Sequence, residues 1–462
     1  MIRKLICVLL CAALCVSIVS CGSVKTDDTD EDDTGTKLPE APETPVETNE
    51  TEVHVIEKED IAISQMIENS SDGGHAVEAD GESLSYTNTA VSKIGDSSGD
   101  EADFYGENSA VFATGGGSLD LSEMVITTDG THANAVFCYG EGTSVTIRDS
   151  VIETSGNCSG GIMTTGGGTM NAVGLNIHTT GNSSAAIRSD RGGGTVTVSG
   201  GSYVTDGKGS PAIYSTADIT VSDAYLESTS AQGIVIEGKN SVTLNDAELV
   251  ADNNSKNSNK SSWFQAVMIY QSMSGDAAEG MSSFSMTGGS LTNKNGDIFF
   301  VNNTATEILL SGAAIINEDG DGAFLRAAAA GWGREGSNGG QVTLTADGQV
   351  IEGDMLVDDI SNLNLILMNG SVFTGTINQD GEEGEVYVEI DGKSKWTLTA
   401  DAYITALTCD EGAVDLNGHR LYINGELYDG GASQGERIQV KAASGGGHGG
   451  PDSPPPDGKR PG

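Results

Sequence analysis

Aromatic residues make up only 5% of the 462 residues, and 23 basic residues stand against 67 acidic ones. The first scarcity argues against a compact multi-domain enzyme with large aromatic cores. Glycine, at 64 residues, favours a repetitive all-β solenoid that turns on small residues and closes on aliphatic ladders. The shortage of basic charge excludes nucleic acid and anionic lipid surfaces as partners, because phosphate binding wants a basic face and the net charge is −44. Such acidity reads either as solubility through self-repulsion or as divalent-cation binding by Asp- and Asn-rich turns.

Paired cysteines are also lacking. Beyond the first 21 residues only Cys138, Cys158 and Cys409 remain, at irregular spacing, which gives neither a disulfide framework nor a C-x-x-C zinc site. The six histidines, His132 and His178 among them, show no metal-ligand spacing. Glycine triplets beginning at Gly115, Gly166 and Gly192 lack the strand-to-helix context of a phosphate loop and read as turns. No metal and no cofactor is expected, with Ca²⁺ at an acidic turn as the one exception. The stretch Asn317 to Gly322 (NEDGDG) begins like a calcium loop, but Ala328 stands where the bidentate glutamate belongs.

The N-terminus has a basic start at Arg3 and Lys4, an apolar run, and then Ile18-Val19-Ser20-Cys21. That is the layout of a secretory signal. Its last four residues resemble a bacterial lipobox, which implies cleavage after residue 20 and a lipid on Cys21. Losing Arg3 and Lys4 would leave 21 − 67 = −46. Residues 21–52 are acidic and carry proline and threonine, so they read as an extended tether. Residues 441–462 form a Gly/Pro-rich tail that is expected to be disordered.

Between these segments, over residues 53–440, one short strand recurs. It begins at Ala76, Ala110, Ala135, Gly161, Ala186, Ala212, Gly233, Ala266, Asp297 and Ala323. A second strand follows in most coils (SVTI, TVTV, SVTL), and then a third with one aliphatic residue at Ile126, Ile152, Ile177, Val204, Leu226, Leu249 and Leu291. Three strands in coils of about 25 residues predict a right-handed parallel β-helix with C-terminal cap coils. Period-2 alternation places Val111/Ala113, Val136/Cys138, Ile162/Thr164, Ile187/Ser189, Ile213/Ser215, Ile234/Ile236 and Val267/Ile269 inward.

The intervening position points outward and reads Glu78, Phe112, Phe137, Met163, Arg188, Tyr214, Val235, Met268, Phe299, Leu325. So apolar a stripe is either an interaction surface or a face covered by inserts such as 80–109 and 251–265. In the first case Phe112, Phe137 and Tyr214 suit stacking on sugar rings, with Tyr139, Arg188, Asp190 and Tyr270 beside them. The next outward column carries Asp190 and Glu237, two coils or about 9.6 Å apart by strand spacing. With Arg188 or Arg191 nearby, that pair would serve a polysaccharide lyase or glycoside hydrolase acting on acidic polysaccharide. Otherwise Arg188, Asp190 and Glu237 are surface ion pairs across adjacent coils. The loop from Gly331 to Gly340 reads as a binding loop bearing Trp332 or as a plain excursion.

From Ala185 (AAIRSDRGGGTVTVSGG) to the Gly331 loop (GWGREGSNGG), the phrases resemble bacterial surface lipoproteins built on a right-handed parallel β-helix. Such proteins are carbohydrate-binding or adhesin-like, and their likeness to pectate-lyase folds is architectural. The resemblance implies a lipid-anchored, extracytoplasmic protein that binds polysaccharide or cell-surface glycan, without fixing any catalytic residue. A polysaccharide-cleaving enzyme and a passive surface spacer are the alternatives.

Overall fold

The computed structural model describes residues 55–381 and 384–440. The expected signal peptide, lipidated Cys21, tether and tail lie outside the described residues. The chain is a parallel β-helix. Eleven of its strands form a single sheet in strict chain order. They are β1 (Val77–Asp80), β2 (Val111–Thr114), β3 (Val136–Tyr139), β4 (Ile162–Thr165), β5 (Ile187–Ser189), β6 (Ile213–Ser215), β7 (Ile234–Glu237), β8 (Gln265–Tyr270), β9 (Asp297–Asn302), β10 (Leu325–Ala327) and β11 (Met355–Val357). The second and third strands of successive coils build a 21-stranded sheet, in which Gly168–Thr179 and Gly194–Thr205 run through both.

Alternation makes the core. Ile162 pairs with Val136 and Ile187, and Ile213 with Ile187 and Ile234, so each inward residue stacks on its counterpart one coil away. All of these are fully buried. Each such branched side chain removed from water contributes about 1.5–3 kcal/mol. Cys138 belongs to this ladder, and burial pushes its thiol up to about 12.

Three ladder positions correct the sequence reading. In β9, Phe299 pairs with Val267, and in β10 Leu325 pairs with Phe299, so Phe299 and Leu325 point inward. The outward positions are Phe300 and Arg326. The coil before β9 is one residue longer than the repeat phrase suggests, which flips every side chain. Likewise Tyr203, not Val204, continues the third ladder opposite Ile177. A phenol is tolerated there because its hydroxyl donates to Gly200 O at 3.3 Å.

The corner ahead of the first sheet is held by polar ladders. Ser159, Ser184 and Ser210 donate to the carbonyls of Gly130, Gly156 and Gly181 and accept from the N–H of Ala133, Ser159 and Ser184. The coils approach so closely that a Cβ on Gly181 would sit 1.8 Å from Gly156 O. At the far end Leu421–Ile423 and Glu426–Leu427 pair antiparallel through Asn424-Gly425, both at positive φ. This tight hairpin ends the parallel run.

Candidate functional site

The outward face of β1–β11 is closed over most of its length. Residues 94–109, with the short helix α1 (Asp100–Phe104), lie against its first coils. His75 stacks on Phe112 at 4.4 Å, Phe112 meets Phe137 at 6.1 Å, and Tyr105 meets Tyr139 edge-on at 5.6 Å. Phe112, Phe137 and Met163 are buried, while Tyr139 is half-buried. Gly106 permits the contact: a Cβ there would come 2.4 Å from Phe112 Cε2.

A second cover, residues 252–264 and 328–339, closes over β7–β9. Trp263 packs on Phe300 at 5.6 Å, and Trp332 packs on Tyr270 at 5.2 Å. Arg326 lies over Trp263 at 4.7 Å and grips Asp297 through two hydrogen bonds of 2.6 and 3.1 Å. Val235, Met268 and Phe300 are buried beneath. The Gly331 loop is therefore part of this cover, with Trp332 half-buried.

Between the covers, β5–β8 carry a charged and phenolic cluster. Arg188 of β5 pairs at 2.9 Å with Asp190, the residue that follows the strand, and Asp190 Oδ1 accepts the Arg191 N–H at 3.1 Å. Asp190 is 4% exposed, and burial pushes its carboxyl up to about 6 against the opposing pull of Arg188. Glu237, 1% exposed, accepts from Tyr214 at 2.5 Å and Tyr270 at 2.9 Å on Oε2. Its Oε1 and the neighbouring Thr216 hydroxyl are buried without a hydrogen-bond partner. Burial raises both phenols well above their ordinary value, with the Glu237 carboxylate adding to it. These groups are thus not surface ion pairs across coils: the Arg188–Asp190 pair lies within one coil, and Glu237 is held by tyrosines. Arg191 faces elsewhere, bonding Asp276 at 2.6 Å and Asp100 at 3.1 Å with Phe104 under its guanidinium at 3.7 Å.

Beside this cluster opens a cleft of about 140 Å³ whose walls include Tyr214, Tyr270, Trp263, Trp332, Gln232, Asn253 and Lys256. Aromatic faces beside amide and ammonium donors can grip a ring that is apolar on its faces and hydroxylated at its rim. A larger open groove of about 320 Å³ lies on the other sheet, lined by hydroxyls with Glu153 and His178. Glu153 is ion-paired to Lys58 and His178 to Asp206.

The sequence reading missed Trp263, Lys256 and Asp276, which sit on inserts outside the repeat. It also missed that Asp103, His132 and Cys158 converge, with their ligand atoms within 4.8 Å of one another. The usable signal was coil length, since the coils entering β2, β8, β9 and β11 are the long ones. The turn from Asn317 to Gly322 is a corner in which Asp319 accepts the N–H groups of Gly296 and Asp321. No helix among the described residues is long and apolar enough to cross a membrane. No protein-family model and no curated protein matches the chain.

Proposed function

We propose that the protein is a cell-surface glycan-binding β-helix, anchored by lipid on Cys21 and non-catalytic. The observation that carries this reading is the cleft walled by Tyr214, Tyr270, Trp263 and Trp332. At about 140 Å³ it is well below the several hundred Å³ of a pocket enclosing a drug-sized ligand, and suits a sugar ring of a polymer lying along the surface. The binding surface is narrower than the whole outward stripe: Phe112 and Phe137 serve packing, and Tyr214 and Tyr270 reach the cleft. The lipobox-like Ile18 to Cys21 and the acidic tether supply the anchor and its reach. Screening the full-length protein against immobilised glycans tests the proposal, which fails if none is retained.

One observation favours a second reading, cleavage of acidic polysaccharide. Asp190, with its carboxyl raised to about 6, shares the cluster with Glu237 and Arg188, as a general acid beside a charged partner would. Incubation with uronate polymers, followed by ultraviolet absorbance of unsaturated products and by reducing ends, separates the two. Cleavage that survives Asp190→Asn would remove Asp190 from the chemistry.

A further inference from the structure

His132 and Cys158 occupy the same corner position in successive coils. Both adopt left-handed backbone, with φ 57 and 56, and their N–H groups donate to Asn157 O and Asn182 O respectively. Their side chains therefore stack at the coil spacing of about 4.8 Å. Asp103, from α1 in the first cover, joins them. Its Oδ1, the Nδ1 of His132 and the Sγ of Cys158 all lie within 4.8 Å of one another.

His132 Nδ1 lies at ion-pair distance from Asp103 Oδ1, 2.8 Å, in a buried position and without hydrogen-bond geometry. A buried ring nitrogen thus faces a carboxylate and a thiol together. The site is not sealed, because the Asp103 side chain remains 28% exposed and gives an ion a way in.

We propose that Asp103, His132 and Cys158 form a binding site for one divalent cation of the zinc class, with water as the fourth ligand. The donor set selects the ion: a thiolate and an imidazole disfavour Ca²⁺ and Mg²⁺, whereas zinc accepts sulfur, nitrogen and oxygen together. Zinc bonds of about 2.0–2.3 Å call for ligand atoms somewhat closer than the widest separation here, which side-chain rotation supplies. No local spacing rule finds the site, because His132 and Cys158 are one coil apart and Asp103 sits on an insert. The ion would tie α1 to the coils beneath it, fastening the cover over Phe112 and Phe137. The site is independent of the glycan reading.

The test is titration of metal-free, full-length protein with Co²⁺, followed by displacement with Zn²⁺. Wild type should show a thiolate-to-cobalt charge-transfer band that Zn²⁺ abolishes, and Zn²⁺ should raise its unfolding midpoint. Cys158→Ser should lose the band's increment and the Zn²⁺-dependent shift, while any signal from the leader cysteines stays common to both proteins. Asp103→Asn and His132→Gln should each weaken Co²⁺ binding at least about tenfold, or about 1.4 kcal/mol. Asp103→Asn alters only the cover, so it reports even if a corner variant folds poorly. An unchanged band in Cys158→Ser, or affinity unchanged in Asp103→Asn, would overturn the proposal.

Discussion

The rings of Phe112 and Phe137 stand one coil apart with centroids 6.1 Å from each other, both buried beneath the first cover. Aromatics on the outward face of a β-helix thus serve here as a second core.

That placement predicts the cost of losing one. Phe137→Ala should destabilise the fold by about 3–5 kcal/mol, the usual range for a buried phenylalanine, as read by chemical denaturation. Trp332→Ala should cost less, because its ring is only half-buried and gives up one edge-on contact with Tyr270. Equal costs would contradict the division between packing and cleft.

Gly106 combines φ 84 with a Cβ position 2.4 Å from Phe112. Gly106→Ala should push the cover off the stripe, raising binding of a hydrophobic dye to the folded protein. Unaltered dye binding would mean that the cover tolerates the clash.

Ser184→Ala should cost about 1–3 kcal/mol, because it leaves the buried N–H of Ser159 unpaired and Gly156 O without its serine donor. The check is the unfolding midpoint. Ser183→Ala, at the neighbouring corner position, should fall within about 0.5 kcal/mol of wild type.

Asp190 predicts a pH dependence. Its carboxyl titrates at about 6 in the fold, against about 3.9 in the unfolded chain, so the fold holds a proton that the unfolded chain has lost. Its contribution is fully present below about 3.9 and is lost as pH rises through about 6. Relative to wild type, Asp190→Asn should gain stability as pH climbs through that window, whatever its absolute midpoint. A difference that stays flat across the window, or moves the other way, would place Asp190 in a different electrostatic setting.

The coil architecture was legible because each ladder repeats a chemical phrase. Val136/Cys138 and Ile187/Ser189 could be placed inward before any coordinates. Phe299 and Tyr203 were misplaced because one extra residue, or one tyrosine among aliphatics, is invisible to a pattern of apolar positions. The covers were harder to read. Inserts obey no period, so nothing in the sequence tied Trp263 to Phe300 or Tyr105 to Tyr139. The Asp190–Arg188 pair sits where alternation put it, but its burial depended on what those inserts cover.

The account turns on the cleft that the second cover forms with Tyr214 and Tyr270. The most direct measurement is calorimetric titration of a glycan retained by the full-length protein into wild type and into Trp263→Ala and Trp332→Ala. The cleft reading predicts saturable binding to wild type and at least about tenfold weaker binding to each variant, or about 1.4 kcal/mol, at a temperature where circular dichroism shows all three proteins folded. Equal affinity in all three proteins would contradict it.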